Sequence, residues 1–142
     1  MACGALAIGA LVVSVTVARS DVGEGIAQRT AEVLRGLPAD QRDRTVVYGE
    51  SYIVAAFLDG FADLYDLPEA YSGNRGYGYF AEPPADHDAV LYVGRDPSSL
   101  SPYFTATSEV CDIGDDMHAF LLTGLREPWA SVWPRLRSLT VS

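Results

Sequence analysis

Hydrophobic residues recur along this chain with helical and strand periods in turn, and these periods predict alternating helices and strands. After residue 20, apolar side chains three or four positions apart predict a helix over residues 22–36. Asp21 and Glu24 have the spacing of a capping pair at its start, and Gly36 with Pro38 closes its end. The helical period is set by Val22, Ile26, Val33, Leu34 and Leu37.

A strand, a turn and a second helix follow. The β-branched and aromatic run at residues 45–48 predicts a short buried strand that ends at Gly49 and Glu50. A second set of apolar residues at helical spacing predicts an amphipathic helix over residues 52–65, docked on a sheet. This set consists of Ile53, Phe57, Phe61, Leu64 and Tyr65.

The second half of the chain predicts mainly strands. A continuous apolar run at residues 89–94 is typical of an interior, often parallel strand. Two further strands, over residues 104–113 and 119–123, are separated by a turn at 114–116. We therefore predict an α/β fold: a single layered domain with a mixed, largely parallel sheet flanked by helices.

The last predicted helix is short and rich in tryptophan. Trp129, Trp133, Leu136 and Leu139 share one of its faces, and Pro134 limits its length. Tryptophan favours the headgroup region of a membrane, so the pair is compatible with a membrane-surface anchor. The shared face with Leu136 favours the other interpretation, in which the tryptophans close the core.

An apolar segment precedes the predicted domain. Residues 1–18 carry no charged side chain, and as a helix they would extend about 27 Å, just short of a bilayer's hydrocarbon core. The segment is compatible with the end of a membrane helix, with a buried strand, or with a signal peptide that lacks its basic region. Residues 19–142 form the predicted soluble domain.

Composition limits the partners and the chemistry. With 142 residues, of which 49% are hydrophobic, the chain can form one compact domain. Its formal charge of -9 disfavours binding to nucleic acid. Cys3 and Cys111 have no metal-binding spacing, and two free thiols are favoured over a disulfide.

The segment from Cys111 to His118 contains several metal-ligand atoms, but it lacks the spacing of a calcium loop. Cys111 with His118 or His87 has no third group to orient a catalytic pair. We predict no catalytic residue, no metal site and no cofactor.

Six segments matter for their order and spacing: residues 48–50, 67–68, 71–74, 83–84, 90–94 and 128–134. Taken in order, they resemble the soluble C-terminal domain of actinobacterial membrane glycosyltransferases, the ArnT-like and protein-mannosyltransferase-like enzymes of the GT-C class, family 39. The similarity covers about residues 20–138. Two positions depart from the family's pattern: Val47 stands where an asparagine is usual, and Asn74-Arg75 stands where a His-Asn pair is common.

The resemblance implies a domain on the extracytoplasmic face of the cell membrane, joined to the transmembrane part of the same enzyme. Such an enzyme moves a sugar from a polyprenyl-phosphate carrier to an acceptor, and its catalytic carboxylate lies in a part that this chain lacks. Residues 1–18 would then be the end of a membrane helix. The alternative function is a free-standing secreted or envelope-bound module that binds a glycan or a protein.

The candidate binding residues are Glu50 and a tyrosine- and glycine-rich loop over residues 71–84. Glu50 follows a strand, where α/β folds place ligand contacts, although a helix N-terminus also favours a carboxylate. The loop's side chains offer stacking surfaces for sugar rings and partners for hydroxyl or phosphate groups, or they pack the loop onto the sheet. These loop residues are Tyr71, Asn74, Arg75, Tyr77 and Tyr79.

Overall fold

The computed structural model describes residues 18–73, 82–114 and 116–136, with side chains described from Val22 onward. The described helices are α1 (Ala18–Gly36), α2 (Ala39–Arg42), α3 (Tyr52–Gly60), α4 (Ala62–Tyr65) and α5 (Trp129–Leu136). The described strands are β1 (Thr45–Gly49), β2 (Ala70–Tyr71), β3 (Ala89–Gly94), β4 (Phe104–Gly114) and β5 (Met117–Leu125). Two short 3-10 turns, Pro97–Ser99 and Ser101–Tyr103, connect β3 to β4.

The strands form one mixed sheet in the order β2-β1-β3-β5-β4. Strand β1 pairs in parallel with β2 on one side and with β3 on the other. Strand β5 pairs antiparallel with both β3 and β4. The predicted α/β fold, with a mixed sheet flanked by helices, is confirmed.

Helices cover both faces of the sheet, and every residue of β1 and β3 is buried. Val47 and Leu91 point into a core under α1, α3 and α4, whereas Tyr48 and Tyr92 point into a core under α5. Successive residues of a strand face opposite sides, so a strand buried on both faces is a nearly continuous apolar run. The sheet is therefore the middle layer of three.

Two helix predictions need correction, the capping pair of the first helix and the length of the second. Helix α1 already includes Ala18, so Asp21 lies inside the helix and does not cap it. Glu24, its predicted capping partner, accepts a hydrogen bond from the Tyr65 hydroxyl at 2.5 Å instead. The predicted helix over residues 52–65 is divided at Phe61, whose φ of -111° is not helical. The hydrophobic period continues across this break, which is why the period alone predicted one helix.

The two tryptophans close the core, as the favoured interpretation predicted. Trp129 and Trp133 are only 2% and 3% exposed, so neither is placed as a membrane-surface anchor. Trp129 Nε1 donates a hydrogen bond to the His87 carbonyl oxygen at 2.6 Å. Leu136 packs against the same core, whereas Leu139 lies outside the described residues.

The preference for two free thiols was wrong, because Cys111 is part of a disulfide. Neither cysteine's local sequence indicates which segments approach each other in space, so the spacing gave no basis for choosing the disulfide. Cys3, the only other cysteine in the sequence, lies outside the described residues.

The described residues give two further findings on the sequence predictions. They contain no group of three or more His, Cys, Asp or Glu side chains placed to hold a metal ion. None of their helices is both long and apolar enough to cross a membrane. Residues 1–17, the part of the chain with three possible interpretations, lie outside the described ranges.

Candidate binding site

A crevice opens where the chain leaves strands β1 and β3 in different directions. From β1 the chain enters α3, whose buried residues Val54 and Leu58 belong to the core under α1. From β3 it enters the two 3-10 turns, and Leu100 belongs to the opposite core, under α5. The two parallel strands end at the same edge of the sheet while their connections diverge to opposite faces. In open α/β sheets, ligands bind at this kind of topological switch point.

The cavity at this point has a volume of about 340 Å³. That volume is at the lower end of the range typical of small-molecule sites, about 300 to 1,000 Å³. It is large enough for one or two sugar rings but not for a long chain. Its lining consists of Tyr48, Glu50, Tyr92, Asp96, Ser98, Ser99 and Leu136.

Glu50 connects the two loops that border the crevice. Its Oε1 accepts hydrogen bonds from the backbone N–H groups of Arg95 at 2.8 Å and Asp96 at 3.0 Å. Its own backbone N–H donates to the Val93 carbonyl oxygen at 3.0 Å. Gly94 permits this close approach, since a Cβ at that position would overlap the Glu50 side chain. Glu50 therefore positions the loop after β3 as well as lining the crevice.

Two stacked tyrosines form the floor of the crevice. The rings of Tyr48 and Tyr92 lie 5.6 Å apart between centroids and are nearly parallel. The Tyr48 hydroxyl accepts a hydrogen bond from the Gly73 N–H at 2.9 Å. The Tyr92 hydroxyl lies 2.9 Å from the Asp96 carbonyl oxygen and 3.2 Å from Glu50 Oε1. These contacts join the ends of β1, β2 and β3 into one polar cluster.

Burial disfavours ionisation of both phenols and so raises their pKa values. It raises the pKa of Tyr48 to about 12, an effect that the hydrogen bond from Gly73 partly opposes. Burial likewise raises the pKa of Tyr92, and the negative charge of Glu50 adds to the increase. At neutral pH the crevice therefore contains neutral phenolic hydroxyl groups, which can both donate and accept hydrogen bonds.

The crevice is polar and acidic. None of the seven described lining residues is basic, whereas Glu50 and Asp96 are carboxylates and Ser98 and Ser99 carry hydroxyl groups. Asp96 Oδ1 accepts from the Ser98 backbone N–H at 3.0 Å, which fixes the turn that presents the two serines. Carboxylates accept hydrogen bonds from ligand hydroxyl groups and repel anions. The lining thus suits an uncharged, hydroxyl-rich ligand better than a phosphate.

The structure places two of the six predicted binding residues. Glu50 lies in the crevice, whereas Tyr71 is half-buried beside α5, with its ring 6.0 Å from that of Trp133 in an edge-on contact. Burial, and then the negative charge of Glu69, raises the pKa of Tyr71. Asn74, Arg75, Tyr77 and Tyr79 lie outside the described residues. Their role in binding remains a prediction.

The start of the predicted tyrosine loop is close to the crevice. Gly73, the last described residue before the loop's remaining positions, donates to the hydroxyl of Tyr48, a lining residue. A Cβ on Gly73 would overlap the Leu136 carbonyl oxygen, so only glycine lets the chain pass between β1 and α5 here. The loop therefore departs from the same edge of the sheet as the crevice.

Six of the seven lining residues were not predicted as binding residues: Tyr48, Tyr92, Asp96, Ser98, Ser99 and Leu136. The segment after Val93 was interpreted only as the boundary of a strand. A usable indication was present, because polar residues that directly follow a predicted parallel strand fall at the edge where α/β folds bind ligands.

No protein-family model, no curated protein and no solved structure matches this chain. The geometry and chemistry of the crevice are therefore the basis for assigning a function.

Proposed function

We propose that this chain is an accessory, non-catalytic saccharide-binding domain of a membrane glycosyltransferase that uses polyprenyl-phosphate sugars. It acts at the extracytoplasmic face of the cell membrane, with the transmembrane part of the same enzyme as its partner. The observation that carries the proposal is the polar crevice at the ends of β1 and β3. In this arrangement bond formation belongs to the membrane part, and the crevice holds a sugar of the donor or of the glycan acceptor.

The chemistry of the crevice supports a saccharide. Sugar hydroxyl groups donate to carboxylates and accept from hydroxyl groups, and the lining offers both kinds of partner through Glu50, Asp96 and the two serines. The carboxylate of Glu50 is held by two backbone N–H groups and therefore needs little reorganisation when a ligand binds. Such preorganisation lowers the entropic cost of binding.

The disulfide supports the proposed compartment. Disulfides form and persist outside the cytoplasm, whereas cytosolic thiols are generally kept reduced. Cys111 is disulfide-bonded and only 3% exposed, so its bond is protected from reductants. An extracytoplasmic location accounts for this bond without any special redox role.

The test is an NMR titration of the full chain, produced with its disulfide, against short glycans and a water-soluble short-chain polyprenyl-phosphate sugar. We expect saccharide-dependent shifts of the amides of Arg95, Asp96, Ser98 and Ser99. Substitution of Ser99 by alanine should weaken binding several-fold. Ser108→Ala, at an exposed position on β4, is the matched control and should leave binding unchanged.

Two results would count against this function. If none of these saccharides shifts the crevice amides at millimolar concentration, the crevice is not a saccharide site. If the isolated chain itself transfers or hydrolyses a sugar, the non-catalytic assignment fails.

A free-standing secreted or envelope-bound binding module is the second candidate. The disulfide favours it, because disulfides are frequent in secreted domains that fold alone. An antibody to the domain distinguishes the two candidates in the native cell. The accessory domain would appear in the membrane fraction within a polypeptide much larger than 15.3 kDa, whereas a free-standing module would appear near that mass.

A further inference from the structure

We infer that the first half of β4 is a self-association edge, at which β4 pairs antiparallel with the β4 of a second copy of this chain. Strand β4 is the last strand of the sheet, and among the described strands it pairs only with β5. The part that carries the inference is residues 105–109, here called the open edge. The inference does not depend on the proposed function, because the open edge takes no part in the crevice.

The open edge is exposed on both faces of the sheet. All five of its residues are exposed, whereas Leu122, which pairs with Thr107, is fully buried. Successive side chains of a strand face opposite sides, so neither helical layer extends over this part of β4. The second half of β4 is different, because Arg29 of α1 donates a hydrogen bond to the Ile113 carbonyl oxygen at 2.6 Å. A second chain can therefore approach the open edge without displacing a helix.

Hydrogen bonds elsewhere in the sheet show how its backbone groups alternate. The Ala89 N–H donates to the Arg44 carbonyl oxygen at 3.2 Å, and the Glu50 N–H donates to the Val93 carbonyl oxygen at 3.0 Å. Both bonds join β3 to the β1 side, so the odd-numbered residues of β3 bond towards β1. The even-numbered residues of β3 therefore bond to β5, and the odd-numbered residues of β5 are left to bond to β4.

The same alternation identifies the backbone groups that point out of the sheet. Ala106 and Ser108 pair with odd-numbered residues of β5, so their N–H and C=O groups bond to that strand. The residues between and beside them turn these groups to the opposite side of β4. An outward row of this kind is a template for pairing with another strand. The outward residues are Thr105, Thr107 and Glu109.

The open edge lacks the features that usually prevent strand pairing. Natural edge strands are protected by lysine, proline, bulges or a covering element. Residues 105–109 read Thr-Ala-Thr-Ser-Glu, and both register shifts of β4 come after Glu109. Threonine also favours the extended conformation of a strand. The open edge is therefore a regular, extended segment that can accept a further strand.

The open edge is complementary to itself. A two-fold axis at Thr107 places Thr107 opposite its own counterpart and Thr105 opposite Glu109 of the second copy. The outward residues then form hydrogen-bonded pairs with two N–H···O bonds in each, and every outward group of the open edge is used. Threonine pairs directly opposite each other, and threonine hydroxyls next to a carboxylate, stabilise such a contact.

Charge supports a second copy as the occupant. The net charge of -9 opposes self-association in general, but the open edge carries a single charged residue, Glu109. Arg126 Nε donates to the Phe104 carbonyl oxygen at 3.1 Å, so its guanidinium lies beside the start of the open edge. Glu109 uses Oε2 to contact His118 Nδ1 at 2.8 Å, and its Oε1 can accept from Arg126. The two-fold pairing brings Glu109 of each copy to Arg126 of the other.

The crevice stays accessible in this arrangement. Thr107 lies in one row with Leu122, Val90 and Val46, whereas the crevice begins beyond Gly49, at the end of β1. The dimer therefore presents two crevices, and a ligand with two suitable groups can bind both at once. Self-association and ligand binding can be measured separately.

The size of the open edge sets the expected strength. Stable protein interfaces use roughly 20 to 30 residues on each side. The open edge provides five. We therefore expect a weak, reversible dimer that forms between micromolar and millimolar chain concentration.

The direct test is NMR on a mixture of isotope-labelled and unlabelled full chain, produced with its disulfide. Residues opposite each other in a pair without hydrogen bonds have Cα atoms about 4.5 Å apart. We therefore expect an intermolecular NOE between the Hα atoms of Ala106 and Ser108. Amide exchange at Thr105, Thr107 and Glu109 should slow several-fold as the concentration rises, whereas exchange at Ala106, which bonds to β5, should stay unchanged. A chain that sediments as a monomer at millimolar concentration would overturn the inference.

Two substitutions of Thr107 test the backbone contact itself. Thr107→Pro removes an outward N–H and no bond to β5, and edge strands tolerate proline at such positions. Thr107→Val keeps the N–H and is the matched control. We expect Thr107→Pro to be monomeric and Thr107→Val to dimerise like the original chain. Dimers of both variants would show that another surface associates; if Thr107→Pro does not fold by near-UV circular dichroism, the intermolecular NOE decides.

Two further measurements keep this inference apart from other properties of the chain. Ser99→Ala, which changes the crevice, should dimerise like the original chain whatever its effect on saccharide binding. The dimer should separate in SDS without reductant. A dimer that persists there is joined by a disulfide and would also overturn pairing through the backbone.

Discussion

Glu50 offers the sharpest test of how the crevice is built. Its Oε1 accepts from two backbone N–H groups, those of Arg95 and Asp96, and lies 3.2 Å from the Tyr92 hydroxyl. Glu50→Gln keeps an oxygen in nearly the same place but removes the charge. Glu50→Ala removes all three contacts. The pair of variants therefore separates the effect of charge from the effect of the bonds themselves.

The expected magnitudes follow from these contacts. A hydrogen bond to a charged group contributes roughly 1.5 to 3 kcal/mol, and a neutral one about 0.5 to 1.5 kcal/mol. The two backbone donors are exposed, so water replaces part of what is lost, and Tyr92 keeps the Asp96 carbonyl oxygen as a partner. We expect Glu50→Ala to lower the free energy of unfolding by about 2 to 4 kcal/mol and Glu50→Gln by about 1 to 2 kcal/mol.

Urea unfolding followed by tryptophan fluorescence measures these changes, since Trp129 and Trp133 are both buried. Glu69→Gln is the matched control: it makes the same charge change at an exposed position and should stay within about 0.5 kcal/mol of the original chain. Amide hydrogen exchange at Arg95 and Asp96 should accelerate more in Glu50→Ala than in Glu50→Gln. If Glu50→Gln matches the control in both assays, Glu50 does not hold the two loops together.

Three shorter predictions concern other features of the fold. Gly94→Ala should lower the free energy of unfolding by about 1 to 3 kcal/mol, because the added Cβ would overlap Glu50. Gly25→Ala has open space around it in α1 and should raise the free energy of unfolding by about 0.5 to 1 kcal/mol. Urea unfolding measures both changes. Burial raises the pKa of Tyr48 from 10.0 to about 12, so the unfolded chain loses this proton at a lower pH than the folded chain does. The free energy of unfolding should therefore fall as pH rises from 10 to about 12. Tyr48→Phe should show a shallower decline, and the same decline in Tyr48→Phe as in the original chain would contradict the shift. Reducing the disulfide of Cys111 should cost about 4 to 5 kcal/mol if it closes a loop of roughly 100 residues, and a loss below about 1 kcal/mol in urea unfolding would argue against so long a loop.

The elements that could be predicted from sequence are those whose burial follows from a hydrophobic pattern in consecutive residues. Strands β1 and β3 were predicted because both are short, almost entirely apolar runs, and the structure shows every position of each to be buried. The hairpin of β4 and β5 was predicted from its turn residues, and Gly114 and Asp116 both have positive φ there. No local pattern predicts the strand order, in which β1 lies between β2 and β3, although both follow it in the chain.

The crevice was only partly predictable for the same reason. Glu50 could be identified because it directly follows a strand, which is a local property. Its partners Arg95 and Asp96 are 45 and 46 residues away, and their approach depends on the parallel pairing of β1 with β3. The disulfide of Cys111 could not be predicted either, because it depends on the three-dimensional position of β4. The β-bulge next to Cys111 has no recognisable sequence pattern in β4.

The crevice and the disulfide lie at the same end of the sheet, and this proximity gives a final prediction. Gly49 pairs with Val93, Val93 with Ala119, and Ala119 with Cys111, so the four residues form one row across β1, β3, β5 and β4. At about 4.8 Å per strand, Cys111 is about 14 Å from the edge of the crevice at Gly49.

Reduction of the disulfide should therefore shift the amide NMR signals of Ala119 and Val93, with the larger shift at Ala119. The matched reference is Thr123, on the same strand as Ala119 but in the row of Ala89, at the opposite end of the sheet. Its amide should be unaffected, because a change at one end of a packed sheet is transmitted mainly through adjacent hydrogen-bonded pairs. Shifts of equal size at Thr123 would show that reduction loosens the whole sheet and would contradict a local link between the disulfide and the crevice.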